Sequence, residues 1–383
     1  MMNKRIKKVT LLFMAVLGMS LPVVCSATGA KVADASAASD LTSMAPIYKD
    51  VVFASVKNDD GAPRDLKMNI FKPQATGETV PVLVFIHGGG WAIGDYQGDD
   101  APRSEKAPAP AISPASAQFA AGEDEISRTV AADSAYKVFK RVLNDGIAFV
   151  SIDYRLSGEA AFPAQIYDVK GAIRFLRAHA DEYGIDPNRI AVAGNSAGGH
   201  LAMELATTGD IKELEGDVGG NLDYSSEVMA VVDYYGPTDL FTMGPEMDPD
   251  LQSPEAAFET HDSPQAAEAT LLGFDKEGQG VAALRELREQ GDTTSPYWSK
   301  VELAELASPI QHVTPNDPPA FIAHGGRDFV VPIEQSLRIR DALNKVGVEN
   351  IFMSNSKAPH GDQGEYVNRA AIAWITAKLL ESK

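Results

Sequence analysis

A rhythm along the chain narrows its fold more than any other feature. Short runs rich in β-branched residues alternate with longer amphipathic ones, and the short runs from Pro81 onward are continuously apolar. A strand exposed on one face alternates apolar with polar residues, whereas an unbroken apolar run fits a strand covered on both faces. The runs are VVFASV from Val51, LKMNIF from Leu66, PVLVFI from Pro81, IAFVSI from Ile147, RIAVAG from Arg189, VMAVVDYY from Val228, PAFIAH from Pro319 and NIFMS from Asn350. Helical patterns cover Ala131 to Asn144, Ala164 to Tyr183, Ala197 to Thr207, Glu334 to Lys345 and Gly364 to Leu380. Strands alternating with helices in this way predict an α/β fold with a mostly parallel, eight-stranded sheet and helices on both faces.

Two stretches interrupt the rhythm, near residues 95–130 and 243–300. The first is Pro/Ala/Ser-rich and the second acidic, with partly helical character. Both leave the carboxyl ends of strands, where open α/β sheets bind ligands, so they are expected to be cap- or lid-like insertions edging a site. Ahead of the sheet, MMNKRIKK is basic, VTLLFMAVLGMSLPVV is apolar and CSATGA is small and polar. These are the three parts of a secretory signal peptide, assigned to residues 1–27, which implies export to a periplasmic or extracellular space. An uncleaved membrane anchor is the alternative; lipidation at Cys25 is disfavoured because Val24 stands where lipoproteins usually carry a small residue. Residues 28–46, TGAKVADASAASDLTSMAP, read as a flexible leader, leaving 47–383 as one catalytic-sized domain with no membrane span in the mature chain.

Cleavage would remove the single cysteine, so the core is expected to stand without a disulfide. The net charge of −19 would become more negative once Lys4, Arg5, Lys7 and Lys8 leave with the signal. Such a balance repels phosphate backbones and argues against a nucleic-acid partner.

The chemistry starts from GNSAG, Gly194 to Gly198, which is G-x-S-x-G placed between a strand and a helix. The tight turn would hold the Ser196 backbone in a strained conformation, and a side chain on either flanking glycine would collide with a neighbour. The hydroxyl would then stand clear of the sheet above a helix N-terminus whose free N–H groups favour developing negative charge. An attacking serine needs donors for the oxyanion it creates. FIHGGGW, Phe85 to Trp91, ends the Pro81 strand in three glycines whose amides can face a substrate, so Gly89, Gly90 and Ala197 are the expected oxyanion hole. His87 is read as structural, pinning that loop.

The base should be one of seven histidines. His179 lies mid-helix, His200 one turn past Ser196, His261 and His312 in irregular segments, and His324 at a strand end. Only His360, in SKAPHGDQG, follows a final strand in a Gly/Pro-marked loop, and it is the expected general base. A carboxylate should fix its tautomer. Asp328 in HGGRDFVVP supplies one in the chain order Ser196, Asp328, His360; Asp239 in YGPTDL is the competitor.

Taken together, HGGGW, SIDYRLS, FPAQIYDVKGAIRFLRAHA, GNSAGGHLA, YYGPTDL, SPIQHVTPNDPPAFIAHGGRDFVVP and the late His-Gly resemble the α/β-hydrolase superfamily. The likeness is greatest to hormone-sensitive-lipase-like and feruloyl or acetyl-xylan-esterase-like carboxylesterases, and it spans about Val51 to the C-terminus. It implies an α/β-hydrolase fold, serine ester hydrolysis and the same oxyanion donors, with Arg155 and Asp168 as scaffold. The long insertion after Gly94 and the acidic segment after Leu240 depart from the pattern, which bears on the substrate rather than on the triad. The expectation is a secreted serine carboxylic ester hydrolase acting on a small-molecule or polysaccharide-linked ester, short-chain, carbohydrate or phenolic. No cofactor is expected, because neither H-E-x-x-H nor clustered metal ligands nor a dinucleotide fingerprint is present. A prolyl-oligopeptidase-type serine peptidase and a non-catalytic binding protein on a hydrolase scaffold are the alternatives.

Overall fold

A computed structural model describes residues 41–73, 79–98, 134–247 and 261–381, all within one compact unit, Asp40–Lys383. The proposed signal, residues 1–27, and most of the first insertion lie outside the described residues. The leader is described only from residue 41, and there it is not free. Leu41–Ser43 forms a 3-10 turn whose Leu41 N–H donates to Asn144 Oδ1 at 2.9 Å, so the end of the segment belongs to the packed unit.

Eight strands form one sheet: β1 Tyr48–Lys57, β2 Pro63–Phe71, β3 Val80–Ile86, β4 Ala148–Ile152, β5 Ile185–Asn195, β6 Val231–Tyr234, β7 Ala320–Gly325 and β8 Asn350–Asn355, in the order β1-β2-β4-β3-β5-β6-β7-β8. Only the β1–β2 and β2–β4 pairs are antiparallel; β4, β3, β5, β6, β7 and β8 pair parallel. The intervening helices are α1 Ala135–Lys140, α2 Ala164–Ala178, α3 Ala180–Tyr183, α4 Ala197–Thr207, α5 Met243–Glu246, α6 Ala267–Leu271, α7 Val281–Gln290, α8 Trp298–Leu306, α9 Glu334–Val346 and α10 Glu365–Leu380.

Successive strand side chains point to opposite faces, and on the central strands both faces are covered. Val82, Val84, Ile86, Ile190, Val192 and Ile322 join one core with Ile166 and Ile173 of α2, Leu201 of α4 and Ile339 of α9. Their neighbours Leu83, Phe85, Ala191, Ala193, Phe321 and Ala323 join a second core with Phe139 of α1 and Ala371 and Ile375 of α10. This two-sided burial is why the central strand sequences lack alternation; edge strand β8 has no fully buried residue. The acidic segment after Leu240 carries α5, α6 and α7, and its Leu271, Phe274 and Leu284 enter the first core. Phe162 N–H donates to Leu271 O at 2.8 Å, tying this segment to the loop after β4.

Glu204 of α4 is a liability within this core. It is fully buried, and neither carboxylate oxygen has a hydrogen-bond partner among the described residues. Burial raises its proton affinity well above the ordinary carboxylate range, opposed by the charge of Lys170. A carboxyl group whose pKa is higher folded than unfolded makes stability fall as pH rises from the unfolded value toward the folded one. Glu204→Gln is therefore expected to flatten the loss of stability between pH 5 and 8, and to leave the variant more stable than wild type at pH 8 by about 1–3 kcal/mol. Urea unfolding at the two pH values reads both effects.

Candidate active site

The chain reverses its direction of progress across the sheet around β3 and β5, and the crevice opens at their carboxyl ends. Ser196 caps α4 directly after β5 with φ 53° and ψ −126°, a conformation a non-glycine residue holds only under constraint. The constraint is visible on both sides. A Cβ on Gly194 would lie 2.0 Å from Gly198 O, and one on Gly198 would lie 2.1 Å from Ile86 O. Ser196 N–H donates to Tyr234 O at 2.8 Å, fastening the turn to β6.

Three side chains meet there. His360 Nε2 lies 2.9 Å from Ser196 Oγ, and His360 Nδ1 lies 2.8 Å from Asp328 Oδ2. The carboxylate fixes the tautomer: Nδ1–H donates to Asp328, and Nε2 is left to accept from the serine hydroxyl. Asp328 sits in the turn after β7, where its Oδ1 accepts from the N–H groups of Val330 and Val331, each at 2.9 Å. Burial alone would raise its pKa, but the charge and hydrogen bond of His360, with His324 beside it, hold the carboxyl well below the ordinary carboxylate range. Tyr235 presses its ring edge-on against the His360 imidazole, centroids 4.6 Å apart. Asp239, the competing carboxylate, spends its Oδ1 on Phe241 N–H at 3.2 Å.

The glycine loop after β3 lies against this elbow: a Cβ on Gly88 would lie 2.8 Å from Asn195 O. Gly89 and Gly90 hold φ values of 112° and 55°, and with Ala197 at the first position of α4 their N–H groups find no acceptor among the described residues. His87 stacks on Tyr154 with ring centroids 4.3 Å apart, and its Nδ1 lies 2.8 Å from Gly88 O. Trp91, which ends the loop, is buried, and its indole N–H donates to His200 Nδ1 at 3.1 Å. His200 Nε2–H in turn donates to Ala307 O at 2.8 Å, and burial lowers its pKa to about 4, keeping it neutral. Arg155 and Asp168 form a bidentate ion pair, the scaffold role that the resemblance implies.

The arrangement pairs a hydroxyl at the N-terminus of α4 with an imidazole that a buried carboxylate orients. Among the described residues no group of three or more His, Cys, Asp or Glu side chains is placed to hold a metal ion, and no helix is long and apolar enough to cross a membrane.

A family model described as BD-FAE matches residues 125–343, a span that includes Ser196 and Asp328 and ends before His360. The esterase LipC of Mycobacterium tuberculosis is 30% identical over 282 residues, covering 73% of this chain and 53% of that protein. The chain thus spans about half the length of the curated relatives it matches. A truncated carbohydrate esterase from gut microbiota shares the fold with TM-score 0.61 and 26% identity, over 87% of this chain and 96% of the other. A bifunctional GH43-CE protein of Bacteroides eggerthii gives TM-score 0.62 and 30% identity, over 87% of this chain and 35% of its own.

Proposed function

The chain belongs to the BD-FAE family within the α/β-hydrolase carboxylesterases, and from that premise we propose that it is a secreted serine hydrolase of carboxylic esters. The observation that carries the reading is the continuous hydrogen-bonded path from Ser196 Oγ through His360 to Asp328, with links of 2.9 and 2.8 Å. His360 Nε2 takes the hydroxyl proton as Oγ bonds to the ester carbonyl carbon. The carbonyl oxygen becomes an oxyanion held by the N–H groups of Gly89, Gly90 and Ala197. His360 then returns the proton to the departing alcohol, leaving an acyl group on Ser196. Water repeats the sequence: His360 removes its proton, hydroxide adds to the acyl carbon, and the serine leaves with the proton restored.

The substrates proposed are short-chain or carbohydrate- or phenolic-linked esters. The carbohydrate part of this reading leans on the neighbours named carbohydrate esterases. Export rests on the tripartite residues 1–27.

The test is a panel of p-nitrophenyl acetate, butyrate and octanoate with acetylated xylan and methyl ferulate. The expected result is turnover of the short esters, with rates falling as the acyl chain lengthens, and turnover of at least one of the last two. Only a neutral imidazole can act as base, while Asp328 stays ionised far into acid. Hence kcat/KM should fall toward acid as a single ionisation. A two-proton acid limb would implicate a second carboxylate, and no turnover of any ester would reject the reading.

A further inference from the structure

Asp328 is gripped by more than His360. Its Oδ2, the oxygen facing His360, also lies 3.3 Å from Nε2 of His324, the residue before the last of β7. His324 is fully buried. Its Nε2 lies 2.9 Å from the carbonyl oxygen of Val331, which can only accept, so this nitrogen carries a proton and directs it between Val331 O and Asp328 Oδ2. Nδ1 lies 2.7 Å from Ser336 Oγ, in the first turn of α9, and that hydroxyl is buried too. The polar path that starts at Ser196 therefore runs on past Asp328 into the body of the fold.

We infer that His324 is a positioning residue, whose shared Nε2–H fixes the orientation of the Asp328 carboxylate and limits how strongly Oδ2 pulls on His360. The inference rests on the reading of Ser196, His360 and Asp328 as the reacting triad. A carboxylate oxygen that already accepts a second hydrogen bond is a weaker acceptor for imidazolium. Without the His324 donor, Oδ2 becomes more basic toward His360, the imidazolium is favoured, and the carboxyl group is freer to turn about its own bond. Other groups face His324 as well. Asp233 of β6 interacts with it electrostatically while its own Oδ1 accepts from Gly236 N–H at 2.9 Å, and the ring of Tyr235 lies 6.4 Å away. Arg327 on the same turn and Glu334 and Arg338 on α9 are exposed. The single charge in hydrogen-bond reach of His324 among the described residues is Asp328.

Three substitutions separate positioning from packing. Gln places its amide where Nε2 stands, Asn where Nδ1 stands, and Leu supplies neither. Full-length His324→Leu is expected to lose about tenfold or more in kcat/KM on p-nitrophenyl acetate at pH 7, the scale of an outer hydrogen bond at a functional histidine. Its acid limb should move to higher pH by about half a unit or more. His324→Asn should follow it, and His324→Gln should stay near wild type. The same shift should appear in the ring titration of His360 by NMR, assigned by loss of its signal in His360→Gln. That titration needs no turnover, so an enzyme inactive on every ester would reject the proposed function while leaving this inference under test. Folded Leu or Asn variants whose His360 titration matches wild type overturn it. Should Leu fail to fold, Asn and Gln variants with coincident profiles overturn it equally.

Discussion

Exchange of Ser196 for alanine is expected to lower kcat/KM on p-nitrophenyl acetate by about 10⁴-fold or more, leaving only what the oxyanion donors and substrate binding supply. The substitution removes one oxygen from a buried site and leaves the elbow framed by Gly194 and Gly198, so the fold should persist. Near-UV circular dichroism should match wild type. A serine-directed phosphonate should add its mass to the wild-type protein and not to the variant. Equal hydrolysis by the two proteins would remove the acyl-enzyme mechanism.

Asp328→Asn should cost about 10³–10⁴-fold through the wrong tautomer rather than through lost structure. The Asn oxygen can still accept from Val330 and Val331 N–H, as Asp328 Oδ1 does now. Its amide nitrogen then faces His360 Nδ1 and must donate, which moves the imidazole proton to Nε2. That proton would point at Ser196 Oγ, where an acceptor is required. Asp239→Asn, by contrast, should stay within a few-fold of wild type, because that side chain serves Phe241 N–H in its own turn. A large loss at Asp239 and none at Asp328 would reverse the assignment of the acid.

The central strands were legible in the sequence because their continuous apolar runs and their two-sided burial are the same fact. Their ends were less so. β5 starts at Ile185 rather than Arg189, since a register shift lets Val80 pair with Ile185 across the polar residues Asp186 to Asn188. Ala131 to Asn144 reads as one helix; its first three positions lie outside the described residues, and from Ser134, the cap accepting from Lys137 N–H, it resolves into α1 and a 3-10 turn over Arg141–Asp145. Ser196, Asp328 and His360 could be read because each follows a strand in a marked turn. In the sequence His324 reads only as a strand-end histidine. Its one visible signal was the four-residue spacing to Asp328 in HGGRD, which acquires meaning only when the turn folds back on itself. The Trp91–His200 bond left no local trace, because it joins residues 109 apart.

The hydrogen bond between Ser196 and His360 links positions 164 residues apart, and His360 comes into place only when β7, with β8 beside it, pairs with β6, Ala320 against Val231. Long-range parallel pairings of this kind form late, after the entropy of closing large loops has been met. A chain folded through β6 would already carry its serine on a finished elbow, with the proposed base His360 still out of reach. Reactivity should therefore switch on in one step, with the last pairing, instead of growing as the core consolidates. In refolding, recovery of core fluorescence should run ahead of recovered turnover.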